Sequence, residues 1–223
     1  MQNFDYMTPT RLIFGKGVIS NLPKVMSGFG KKILLTYGGG SIKKLGLYDK
    51  VKELLKDSEI FELWRLKNIY WYIHWANAPQ NGNRMPFIER ALLRNMIQTA
   101  SEAIVTGERG ADLRFGHETC VLPLACLLEI DNVNYSCNDL DMLHEQWQDY
   151  NIIPKACNIQ MVFYRPVGTV GNKVDDVLVK VLFNEHEATL PATPVTGPYY
   201  RWSDLKQYYE RKLDTVIDWS VQQ

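Results

Sequence analysis

The sequence has no excess of charge of either sign: 25 lysines and arginines balance 25 aspartates and glutamates. A neutral chain offers no long-range field to a polyanion, so neither nucleic acid nor an anionic membrane surface is expected as a partner. Long apolar runs are missing as well. The stretch at 121–128 is among the longest and falls far short of a bilayer span. The opening residues, MQNFDYMTPT, have neither the basic nor the apolar region of a secretory signal, and a cytoplasmic location is expected on that ground. Cysteine is scarce. Cys120, Cys126, Cys137 and Cys157 show no C-x-x-C spacing, which argues against zinc-ribbon and thioredoxin-type sites and for reduced thiols. His144-Glu145 and His186-Glu187 do not complete H-E-x-x-H, because Gln148 and Leu190 stand where the second histidine belongs. No metal and no cofactor is expected.

What is present is ordinary globular material: 223 residues, 46% hydrophobic, enough for one large or two small domains. Neither an internal repeat nor a low-complexity tract interrupts it. Residues 1–57 read as small α/β pieces. Arg11 to Phe14 suits a short strand before the turn Gly15-Lys16-Gly17. Val18 to Ser27 makes a weak helix broken by Pro23. The continuous apolar order of Ile33, Leu34 and Leu35 predicts a buried strand over Lys32 to Tyr37. Gly38-Gly39-Gly40-Ser41 stops it, and Tyr48 to Lys56 reads as a helix with Val51, Leu54 and Leu55 on one face.

The character changes near Ser58. Phe61, Trp64, Tyr70, Trp71, Tyr72 and Trp75 make an aromatic-dense stretch, read as helical packing against a core in preference to a stacking platform. Asn77 to Arg84 reads as a loop. Pro86 opens a helix whose apolar face is Ile88, Leu92, Leu93, Met96, Ile97, Ala100, Ala103 and Ile104, out to Gly107. Arg84, Arg90 and Arg94 are read as helix surface in preference to a face toward an anionic substrate. Ala111 to Phe115 is expected to be a short strand, and Val121 to Ile130 a buried helix. The alternation over Ile159 to Pro166 and Val177 to Phe183 predicts an antiparallel hairpin. Ser203 is expected to cap a last helix with Leu205, Tyr209, Leu213, Val216 and Ile217 inward.

The sharpest chemical signal is Asp112-Leu113-Arg114-Phe115-Gly116-His117-Glu118-Thr119. A strand end, a glycine and a helix start would present His117 and Glu118 beside backbone amides that attract anions. A histidine next to a carboxylate can hold a phosphate oxygen and deliver a proton to a leaving group. Alone, such a dipeptide is more often a pair of ordinary polar residues. Its surroundings, RFGHETCVLPLACLLEI, resemble the proton-donor segment of branch-two histidine acid phosphatases, the acid phosphatase, phytase and multiple inositol polyphosphate phosphatase group. The family pattern has Asp after the histidine; Glu118 departs from it mildly. The resemblance runs from about Glu59 to the end, a Bacteroides-like form of the family's C-terminal half.

That resemblance implies phosphate monoester hydrolysis on inositol phosphate or phytate-like substrates, through a phosphohistidine. By resemblance His117 contacts phosphate and Glu118 is the acid. The nucleophile of the family lies in an R-H-G-x-R motif, and these 223 residues contain none: neither His74, His144 nor His186 follows Arg or precedes Gly.

Residues 1–57 resemble a different family, the iron-containing alcohol dehydrogenases of the butanol type, through Phe14-Gly15-Lys16-Gly17 and the run GGGSIKKLGLYDK. There the resemblance places Gly38, Gly39, Gly40 and Ser41 against the adenosine side of NAD(P). The second glycine-rich loop and the metal-bearing helical domain of that family have no counterpart here.

The expected fold class is therefore α/β: a partial histidine-phosphatase-like sheet with flanking helices over 58–223, preceded by a fragment of a dinucleotide-binding domain over 1–57. Two further readings stand beside the phosphatase one. One is an alcohol dehydrogenase fragment; the other is a non-catalytic fusion or truncated protein. The expected ligand is a phosphorylated small molecule. Surface left uncovered by a missing half is expected to favour self-association.

Overall fold

The structure, a computed structural model, describes residues 13, 15–22, 25, 40–54, 57–107, 109–166 and 177–220. The chain divides into two compact units, Met1–Lys67 and Asn68–Gln223.

In the first unit, Gly17 takes the left-handed region (φ 77°) before a 3-10 turn over Val18–Asn21. The predicted strand over 32–37, Gly38 and Gly39 lie outside the described residues. Helix α1 (Ser41–Lys44) is followed by α2 (Leu47–Leu54), which buries Val51 as its spacing predicts. Lys43 and Lys44 are exposed, and Lys43 lies over the Tyr48 ring at 5.3 Å.

Helix α3 (Asp57–Trp75) confirms that the aromatic stretch is helical. Within the second unit its end is a core element: Tyr72 is fully buried and meets Trp147 edge-on at 5.3 Å. Asn81, buried in the 3-10 turn Pro79–Asn81, caps α3 by donating from Nδ2 to the carbonyls of Ile73 (2.7 Å) and Ala76 (3.0 Å). The segment Asn77 to Arg84, read as a loop, thus closes the helix that precedes it. Orphan carbonyls at a helix end need such partners.

A 3-10 turn over Met85–Glu89 leads into α4 (Arg90–Thr106), which Gly107 ends in the left-handed conformation (φ 76°). Leu93, Ile97 and Ile104 are buried as expected, whereas Ile88 and Ala103 are exposed. The broad face predicted from spacing is narrower in the fold, because only one stripe of a helix reaches a neighbour.

The expected strand Ala111 to Phe115 does not form. These residues run without secondary structure, with Leu113 74% and Phe115 93% exposed. A strand needs a ladder partner, and no described strand pairs with this one. Helix α5 (Glu118–Leu127) follows, buried throughout Leu122 to Leu127. It is apolar all round, the mark of a central helix.

Helix α5 ends at Leu127, short of the expected Ile130. Residues 131–157, which carry little pattern, are mostly irregular, with α6 (Leu143–Gln146) and α7 (Asp149–Ile152). They are tied down by buried polar groups. Asn68 donates to the Trp147 carbonyl (2.8 Å) and accepts from the Asp149 amide (2.7 Å). The Tyr72 hydroxyl accepts from the Cys137 amide (2.7 Å) and donates to the Tyr135 carbonyl (3.0 Å).

The predicted hairpin is present as β1 (Ile159–Tyr164) and β2 (Leu178–Phe183), antiparallel with Ile159 opposite Phe183. On its other edge β2 pairs with β3 (His186–Glu187) and β4 (Tyr200–Arg201), so β1 ends the sheet among the described residues. Helix α8 (Trp202–Leu213) closes the unit and buries Trp202, Leu205, Tyr209 and Leu213. Two expectations fail here. Arg201, not Ser203, precedes the helix, and Ser203 sits in its first turn beside Asp204 (3.5 Å). The helix stops at Leu213, so Val216 lies outside it and is 93% exposed.

Candidate functional site

His117 occupies the N-cap position of α5 in an extended conformation (φ −97°, ψ 162°), and Glu118 is the first helical residue. Both side chains are exposed. The first helical hydrogen bonds are donated by Cys120 (2.9 Å) and Val121 (3.2 Å) to the His117 carbonyl. The Glu118 and Thr119 amides precede them, and the His117 side chain caps neither. A ten-residue helix therefore ends in uncapped donors beside an imidazole and a carboxylate. Such a terminus favours an oxyanion, and Glu118 itself gains from the helix dipole. This is the juxtaposition that the sequence suggested for His117 and Glu118.

The route into the helix is fixed by Arg114. Its guanidinium donates to Asp112 Oδ2 (2.7 Å), Asn95 Oδ1 (2.6 Å) and Thr99 Oγ1 (3.2 Å). Asn95 and Thr99 lie one turn apart on α4, so the irregular segment before the site is pinned to a long helix. Asp112-x-Arg114 was visible in the sequence, but nothing local pointed to Asn95 and Thr99.

A second pair missed by sequence reading lies under the first turn of α5. The Cys120 thiol and the Glu89 carboxylate lie close enough to act on each other's protonation. Burial raises the Glu89 pKa, and the neighbouring thiol partly offsets the effect. Burial also raises the Cys120 thiol, with the Glu89 charge adding to it. Cys157 is raised by burial first and then by the Glu118 carboxylate, which places that thiol in the neighbourhood of the site. All four cysteines are free.

The far end of α5 is clamped by α8. Tyr209 donates to the Leu128 carbonyl (2.9 Å), Lys212 pairs with Glu129 (2.9 Å), and the Tyr208 hydroxyl donates to the other Glu129 oxygen. Glu129 holds a positive φ of 55°, a conformation that a non-glycine residue adopts only when its surroundings require it.

Of the other predicted site residues, Gly40 precedes α1 with φ −70°, and Ser41 opens that helix, exposed. At four residues, α1 is too short for an effective terminal dipole. His144 bonds the Asp141 carbonyl (2.8 Å), and His186 lies on β3. Among the described residues no three His, Cys, Asp or Glu side chains gather as metal ligands would. No described helix is long and apolar enough to cross a membrane.

Comparison with known proteins gives two separate likenesses. No family model matches the chain. In sequence, a probable NADH-dependent butanol dehydrogenase of Bacillus subtilis is 58% identical over 55 residues, 25% of this chain and 14% of that protein. The NADH-dependent butanol dehydrogenase A of Clostridium acetobutylicum is 43% identical over 60 residues, 27% of this chain and 15% of its own length. In structure, the chain is similar to the multiple inositol polyphosphate phosphatase of Bifidobacterium longum. The phosphate complex gives a TM-score of 0.56 at 21% identity, over 77% of this chain and 34% of that one. The apo form gives 0.53 at 18% identity, over 86% and 38%. The chain thus spans about one-seventh of the dehydrogenases and about one-third of the phosphatase. Both resemblances read in the sequence are present, and the fold is a mixed helix and antiparallel-sheet arrangement similar to part of that phosphatase.

Proposed function

We propose that residues 58–223 are the proton-donor part of a phosphomonoesterase site for an inositol-phosphate-like substrate. The single observation that carries this reading is the exposed His117–Glu118 pair at an uncapped helix terminus, in a chain whose fold is similar to about a third of an inositol polyphosphate phosphatase. In this reading His117 and the Glu118 and Thr119 amides hold a phosphate oxygen, and Glu118 protonates the leaving alcohol. The nucleophile that attacks phosphorus is not among these 223 residues, since no R-H-G motif occurs in them. The chain therefore turns over no phosphate ester by itself. An assay with p-nitrophenyl phosphate and phytate at acid and neutral pH tests this; turnover that disappears in His117→Ala would overturn it. Uncovered Leu113 and Phe115 favour self-association, which Leu113→Ser with Phe115→Ser should reduce in sedimentation equilibrium.

A second reading is favoured by the sequence match to the butanol dehydrogenases. Residues 1–57 would then derive from a dinucleotide-binding domain in which Gly38, Gly39, Gly40 and Ser41 faced the adenosine end of NAD(P). One loop meets one end of a dinucleotide, so useful binding is not expected from it. Calorimetry with NADH and NADPH should show no low-micromolar affinity.

A further inference from the structure

Three arginines share one kind of partner. Arg84 Nη1 donates to the Asp218 carbonyl (3.5 Å), Arg90 Nη2 to the Thr215 carbonyl (2.6 Å), and Arg94 Nη2 to the Leu213 carbonyl (3.1 Å). Each acceptor belongs to the end of α8 or to the tail after it. The tail also brings two carboxylates: Asp214 pairs with Arg94 at 3.3 Å, and the Arg84 charge acts on Asp218. From sequence alone these arginines read as helix surface, with a face toward an anionic substrate as the less favoured reading.

The occupancy is incomplete. Arg90 Nε is buried and has no hydrogen-bond partner. Its guanidinium lies over the Phe87 ring, 5.3 Å from the centroid, which holds the plane in place. A carbonyl oxygen uses one N–H of that plane, whereas a phosphate-type oxyanion takes Nε and Nη together in two parallel bonds. Arg94 stands one helical turn further along and borders a cleft of about 560 Å³ between α4 and α8, whose polar lining is Gln98, Ser101 and Lys206 with the carboxylates of Glu102, Glu210 and Asp214. In the tail Val216 is 93% exposed, while Trp219 is about half covered and Ile217 half-buried. The polar contacts to the three arginines are the part of its attachment that an anion could replace.

We infer that Arg84, Arg90 and Arg94 form an oxyanion site for a small molecule bearing two or more phosphate-type groups, filled in this structure by the chain's own acidic tail. The tail's carbonyls and carboxylates stand in for the ligand, and a polyphosphate displaces them. This site lies apart from His117–Glu118 in the sequence and does not depend on the phosphatase reading. Inorganic triphosphate is a suitable probe, by calorimetry at low ionic strength together with hydrogen exchange on the full chain. Binding should speed amide exchange in residues 214–220. Arg90→Gln and Arg94→Gln should each weaken it about ten-fold, the loss expected for one charge-assisted bidentate contact. Asp214→Asn with Asp218→Asn removes the competing carboxylates on the surface and should tighten binding about three-fold or more. His117→Ala should leave all of this unchanged. Unaltered tail exchange with triphosphate bound would overturn the inference. So would binding lost in His117→Ala and kept in Arg90→Gln, while leaving the reading of His117 intact.

Discussion

The two ends of α5 are built from different materials. Its N-terminus is wet: His117 and Glu118 are exposed, the first amides are uncapped, and the approach through Leu113 and Phe115 faces solvent. Its C-terminus is dry and held. Leu127 and Leu128 are fully buried, Tyr209 takes the Leu128 carbonyl, and Tyr208 with Lys212 grips Glu129. The difference shows how an exposed pair can be held steadily. A helix is stiff over ten residues, so fixing one end fixes where the other end points. The polar groups can then sit at the open end, where they keep their hydration.

The most forceful way to break this contrast is inside the helix. Leu127→Ala empties a fully buried site and should cost about 2–5 kcal/mol in urea unfolding, carrying the orientation of His117 with it. Glu129→Ala comes next. It strands the partly buried Lys212 ammonium and the Tyr208 hydroxyl, for an expected loss of about 1.5–3 kcal/mol. An unchanged unfolding midpoint would mean that the clamp does not hold α5. Tyr209→Phe removes only the donor to the Leu128 carbonyl and should cost about 0.5–1.5 kcal/mol.

Alkaline titration sharpens the same comparison. Burial, and for Tyr208 the Glu129 carboxylate, pushes the phenols of Tyr72 and Tyr208 up to about 12. The folded state holds these protons more tightly than the unfolded state, where tyrosine titrates near its ordinary value of 10.0. Their stabilisation is therefore complete below pH 10 and is lost as the pH climbs from about 10 to about 12. Tyr208→Phe should flatten part of that decline in a pH series of thermal melts. The smallest effect belongs to the open end: Glu118→Gln gives up a favourable dipole contact and should cost about 0.3–1 kcal/mol. A larger loss there would mean that Glu118 is structural rather than chemical.

Much of the second unit was legible. Apolar spacing marks α4 and α5, the aromatic stretch is α3, and alternation marks β1 and β2, because each of these elements has its own period. His117 and Glu118 were readable as a local sequence at a helix start. The strand expected over Ala111 to Phe115 was not safe to infer in the same way, since an extended segment becomes a strand only if another chain segment pairs with it. Val216 had the spacing of a buried helix residue, yet the helix ended three residues earlier. Arg114, Glu89 and the Glu129 clamp escaped notice because their partners are distant in sequence: Asn95 and Thr99, Cys120, and Tyr208 and Lys212 respectively.

By itself, the sequence determined which stretches have helical or strand periodicity, that a histidine and a carboxylate stand side by side at a helix start, that no R-H-G triplet is present, and that two different protein families are echoed along one chain. Those properties depend on neighbours within a few positions. Tertiary structure alone decided that His117 and Glu118 are exposed while Leu122 to Leu127 of the same helix are buried. It also decided that Arg114 anchors their approach, and that Arg84, Arg90 and Arg94 are occupied by the tail. Long-range hydrogen bonds and burial join residues separated by 79 to 134 positions, as Tyr208 with Glu129 and Arg84 with Asp218. No local pattern encodes such pairs, because they arise only when a shared core brings the elements together.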